Sequence, residues 1–73
     1  METVAVLGER PLIQGFALAG GLLLVADTPD QARQQWESVP AGVRVVVLTP
    51  NAAAALSAAR DAPGVPMTVV MPS

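Results

Sequence analysis

The chain has 73 residues, a formal net charge of −2, 52% hydrophobic residues, and Phe16 and Trp36 as its only aromatic side chains. It contains no His, Cys, Lys or Tyr, which excludes zinc fingers, disulfide scaffolds, Cys or Ser-His nucleophile systems, Schiff-base chemistry and P-loop phosphate binding. The acidic balance also lacks the clustered Lys and Arg that counterion release on nucleic acid requires, so the expectation is one domain, no enzyme, no cofactor, no metal and no nucleic-acid partner.

The longest apolar run, 15–26, is interrupted by Gly15, Gly20 and Gly21 and falls short of the roughly 18 residues of a membrane-spanning helix. Glu2 stands where a secretory signal would carry basic residues, so a soluble cytoplasmic chain is expected. Charged residues make up only 14% and the mean hydropathy is +0.50. Either some apolar surface meets a partner, or the composition is simply Ala-heavy.

In chain order, Thr3 to Leu7 is a β-rich run closed by Gly8, and Glu9-Arg10-Pro11 opens a helix, because Pro is tolerated in a first turn. Leu12, Ile13 and Phe16 share its inner face, and Gly20-Gly21 ends it. Leu22 to Ala26 is a continuous apolar strand. Thr28-Pro29-Asp30-Gln31 combines a capping Thr, Pro at the first helical position and Gln at the third, so a helix starts at Pro29. Ala32, Trp36 and Val39 face inward, Gln31, Arg33, Gln34, Gln35 and Glu37 face solvent, and Pro40-Ala41-Gly42 stops the helix. Val43 to Leu48 is a third strand. Thr49-Pro50 repeats the cap, and the helix Asn51 to Arg60 leans on the helix propensity of four consecutive Ala. Met67 to Met71, between Pro66 and Pro72, suits an edge strand.

Strands joined by helical crossovers are parallel and right-handed. The expected fold is therefore α/β, a three-layer doubly wound parallel sheet of four strands in the order 2-1-3-4, flavodoxin-like, receiver-like or Rossmann-like, with βαβαβαβ connectivity over 1–73. In that order the first helix covers one face while the second and third cover the other, and the surface over the third and fourth strands beside the first helix is left bare. A parallel sheet is rarely stable with a bare face, so another polypeptide must cover it.

Ligands of such sheets bind beyond the C-terminal strand ends, here lined by Gly8, Glu9, Arg10, Asp27, Thr49 and Asn51. The loop Gly8-Glu9-Arg10-Pro11 lacks the G-x-G-x-x-G of a dinucleotide site. A phosphoacceptor receiver would need paired acids, an Asp after the third strand and a Lys; this chain offers Glu9, Thr49 and no Lys. Thr49 is expected to cap its helix, and Glu9 and Arg10 to be dipole and solvent groups. A small-ligand or flavin site in this crevice rests on architecture alone. Trp36 is either core or an interface anchor. Met67, Val69 and Met71 line one strand face, either core or bare. Gly15 lowers helix stability and permits close backbone approach, to the sheet or to a partner.

Val4-Ala5-Val6-Leu7-Gly8-Glu9, followed by Gly15-Phe16-Ala17-Leu18-Ala19-Gly20, resembles the start of the F subunit of the V-type and archaeal-type rotary ATPases (ATP synthases), where a strand ending in Gly-Asp or Gly-Glu leads into a Gly-Phe-Arg-Leu-Ala-Gly helix. Asp27-Thr28-Pro29-Asp30-Gln31-Ala32, Val45-Val46-Val47-Leu48-Thr49 and Pro66-Met67-Thr68-Val69-Val70-Met71-Pro72-Ser73 are similar to later segments of that family. The family's Arg is Ala17 here, and the match stops short of its C-terminal helix. The resemblance implies a non-catalytic component of the central stalk, cytoplasmic and peripheral to the membrane. It would dock on the coiled-coil D subunit of the stalk and help couple ATP hydrolysis or synthesis to proton or sodium transport. Gly15, Phe16, Ala17, Leu18, Gly20, Met67, Val69 and Met71 are then the candidate docking residues. The alternative is a degenerate receiver-like module that self-associates through the bare face, as the isolated chain could as a homodimer.

Overall fold

A computed structural model describes residues 4–15, 22–61 and 64–72. Its elements are β1 (Val4–Gly8), α1 (Arg10–Ile13), β2 (Leu22–Val25), α2 (Pro29–Glu37), β3 (Val45–Leu48), α3 (Pro50–Ala55), α4 (Ser57–Arg60) and β4 (Met67–Val70). The four strands form one parallel sheet in the order β2-β1-β3-β4, as the crossover rules require of this chain.

The register sorts the side chains onto two faces. Ala5 lies beside Leu22 and Val46, and Leu7 beside Leu24 and Leu48. These residues share one face and form the core with Ala32 of α2, Ala52 and Ala53 of α3, Leu56, Ala26 and Val43, edged by Trp36 and Val39. Trp36 is therefore a half-buried core side chain. On the opposite face, Ile13 of α1 is fully buried over β1 and β2, with Val6 beneath it at 2% exposure.

Both capped helix starts form as expected. Thr28 Oγ1 accepts the Gln31 main-chain N–H at 3.1 Å, and Thr49 Oγ1 accepts that of Ala52 at 3.3 Å. The reciprocal arm of the first cap is displaced: Gln31 Oε1 accepts the N–H of Asp27, at 2.7 Å, rather than that of Thr28.

Several expectations change. The expected single helix over 51–60 is two pieces, because Leu56 departs from helical geometry (φ −107°, ψ 14°) and is 1% exposed. Ala52 to Ala55 offer no large side chain to bury, so the turn that carries Leu56 into the core takes precedence over helix continuity. Leu12 is 53% exposed rather than inward-facing, and α1 passes through Gln14 and Gly15 as a 3₁₀ turn. Gln35 is half-buried rather than solvated, its Nε2 donating to the Val25 carbonyl at 3.0 Å. All four residues of β2 are half-buried, as befits an edge strand.

Candidate functional site

Two regions need a functional account: the crevice at the C-terminal strand ends, and the sheet face beyond α1.

The crevice is built by the loops after β1 and β3. Gly8 ends β1 one residue past the Leu7–Leu48 pair and lies against Thr49, whose side chain is fully buried. A Cβ on Gly8 would lie 2.5 Å from Thr49 Oγ1 and 2.9 Å from its Cβ, so only glycine fits there. Thr49 Oγ1 donates to Glu9 Oε1 at 2.6 Å while it caps α3, and Asn51 Nδ2 donates to Glu9 Oε2 at 3.3 Å. Glu9 is thus not a free dipole group: its carboxylate ties the first loop to the third. Arg10 enters through its main chain, whose N–H donates to Asp27 Oδ1 at 3.2 Å.

A cleft of about 480 Å³ opens beside this network, with Glu9, Asp27, Thr28 and Asn51 at its polar rim and Ala26, Ala32, Ala52 and Ala55 in its walls. No buried side-chain nitrogen or oxygen among the described residues lacks a hydrogen-bond partner. Thr49 and Asn51 both donate to Glu9, so these three side chains act as a latch across the crevice. Among the described residues, no three Asp or Glu side chains converge as a metal site would need, and no helix is long and apolar enough to cross a membrane.

The open face answers the question the strand periodicity left. Met67 and Val69 lie in register with Val45 and Val47, on the face opposite the main core. They are 68% and 48% exposed, Val4 of β1 is 39% exposed, and Val45, Val47 and Met71 are half-buried. No described element covers them. Val70, which points to the other face, is also 40% exposed; α3 packs over β1 and β3, and Arg60 of α4 reaches β4, its Nε donating to Thr68 Oγ1 at 3.2 Å.

Of the candidate docking residues, Met67, Val69 and Met71 therefore lie together at one margin of the sheet. Gly15 lies at the end of the α1 segment, exposed, and a Cβ there would meet nothing within 4 Å. Among the described residues, nothing packs closely on this glycine. Phe16, Ala17, Leu18 and Gly20 lie outside the described residues. The residues that sequence reasoning missed are Gly8 and Glu9 as partners of Thr49. The signal was present: in a 2-1-3-4 sheet the ends of β1 and β3 are neighbours, so Gly8 and Thr49 must meet.

No family model matches this chain, and no curated protein sequence matches it.

Proposed function

We propose that this chain is a non-catalytic docking domain, a counterpart of the F subunit in the central stalk of a V-type or archaeal-type rotary ATPase, held there by the stalk's coiled-coil partner. The observation that carries the docking role is the apolar margin formed by Val4, Met67 and Val69, exposed on a sheet whose class is ordinarily covered on both faces. The stalk assignment is supported by the Gly8-Glu9 strand end and by the resemblance of Gly15-Phe16-Ala17-Leu18-Ala19-Gly20 to the family's helix.

In this role the domain contributes surface and rigidity, and torque passes through it by contact alone. The test is co-expression of tagged chain with the coiled-coil stalk protein of the same source, followed by affinity capture and sedimentation. A one-to-one complex is expected, weakened at least tenfold by Met67→Glu. Capture of no coiled-coil partner, together with a concentration-dependent homodimer, would replace the stalk role by the self-associating module.

A further inference from the structure

The cleft beside the latch holds two carboxylates and no cation. Glu9 accepts from the Thr49 hydroxyl and the Asn51 amide, and Asp27 accepts from the main-chain N–H of Arg10, so both acids meet neutral donors. The bond from Arg10 draws the Asp27 carboxylate toward the residue that follows Glu9, and both acids line the same cleft. The chain has no Lys or His. All four arginines are described, and the pair Arg33–Asp30 is the one salt bridge among the described residues. Arg10 lines a neighbouring groove with Gln31, Gln34 and Ser38 and takes no part in lining the cleft.

Below the acidic rim the walls are aliphatic. Ala26 and Ala32 face Ala52 and Ala55, and because the facing residues are alanines a space of about 480 Å³ remains between α2 and α3. That lies within the roughly 300–1,000 Å³ of small-molecule sites, which pair apolar walls with a few polar groups.

The lining selects among cations. It contains no aromatic side chain, so the π faces that hold quaternary ammonium ions are missing, and the ligand must donate hydrogen bonds. Both oxygens of Glu9 and one of Asp27 already accept, so neither carboxylate presents the unengaged pair that matches the fork of a guanidinium. A compact ammonium group needs no such pair.

We propose that the cleft between α2 and α3 binds a small protonated primary amine, its ammonium group between Glu9 and Asp27 and its alkyl chain against Ala26, Ala32, Ala52 and Ala55. The strip of Val45, Val47, Met67 and Val69, open among the described residues, lies on the opposite face of the sheet. The amine site and the docking surface can therefore be occupied, and refuted, independently.

The test is a titration of the ¹⁵N-labelled full chain in about 150 mM salt, which screens loose surface attraction, with amide signals as the readout. Butylammonium is expected to move the Asp27, Thr28 and Ala52 amides saturably, with a Kd of about 1 mM, within reach of a ligand of five heavy atoms. 1-Butanol, butyrate and butyltrimethylammonium should each bind at least tenfold more weakly. Asp27→Asn keeps Oδ1 as acceptor for the Arg10 N–H yet removes the charge, and should weaken butylammonium about tenfold or more. Ala55→Leu fills the cleft while leaving both carboxylates, and should weaken it as much. No saturable shift by about 20 mM amine, equal binding of 1-butanol, tighter binding of magnesium chloride at the same signals, or amine binding indifferent to both variants would each overturn the proposal.

Discussion

Thr49→Val tests the latch with almost no change of shape. Valine fills the space of threonine, so no cavity opens, but the Oγ1 that caps α3 and donates to Glu9 is lost. Loss of an N-cap costs about 1 kcal/mol. Loss of a hydrogen bond to a charged acceptor costs about 1.5–3 kcal/mol, and the low end applies because Glu9 is half-exposed. The expected destabilisation is therefore about 2.5 kcal/mol, a large share of the roughly 4–11 kcal/mol available to a chain of this size. It should lower Tm by about 10–20 °C and the urea midpoint by about 2.5 M for a slope near 1 kcal/mol per molar. Trp36 is the only tryptophan and half-buried against the core, so its fluorescence follows the transition directly. Thr49→Ser keeps the hydroxyl and drops one methyl group, a loss of about 0.8 kcal/mol. If the serine variant is as unstable as the valine variant, or if valine costs less than about 0.5 kcal/mol, then packing rather than the hydroxyl holds the two loops together.

Gly8→Ala should cost about 1–3 kcal/mol by overpacking against Thr49, and the double variant with Thr49→Ser should recover part of it in the same urea titration. Gly15→Ala should raise the stability of the isolated chain by about 0.4–1 kcal/mol, because the site has open space and no positive φ; scanning calorimetry measures this, and a loss of stability would show that the turn there requires glycine. Gly64, at φ +82°, should resist replacement: Gly64→Ala is expected to cost about 1–2 kcal/mol, with unchanged thermal stability as the contrary result.

The strand order and the helix starts could be predicted because each is a local or nearest-neighbour property. Thr28-Pro29 and Thr49-Pro50 announce their helices from within four residues, and the absence of any tight hairpin leaves parallel crossovers as the only connection. The break at Leu56 was not visible, since Ala52-Ala53-Ala54-Ala55 has uniformly high helix propensity and the interruption comes from where the core lies. Glu9 was misjudged for the same reason: its partners, Thr49 and Asn51, are forty and forty-two positions away, and a local view shows only an acid at a helix start. The fate of Met67 and Val69 could not follow from alternation, which pairs residues on a face without saying which face a helix will cover. The register with Val45 and Val47, on the side away from Ala52 and Leu56, decides it.

The latch and the bare strip are linked through α1. Glu9 immediately precedes α1, and its carboxylate is fastened to Thr49 and Asn51 at the end of β3 and the start of α3. The short helix, anchored over β1 and β2 by Ile13, is thereby tied to the end of β3, the strand whose other face is open beside it. An element fixed before the partner arrives spares the complex the cost of ordering it on binding. If the proposed docking role holds, Thr49→Val should weaken capture of the proposed coiled-coil partner by more than the unfolded fraction of the variant accounts for, although Thr49 is buried. Affinities measured where both proteins are fully folded separate the two effects. Equal affinities would mean that α1 is positioned by Ile13 alone and that the polar crevice serves stability only.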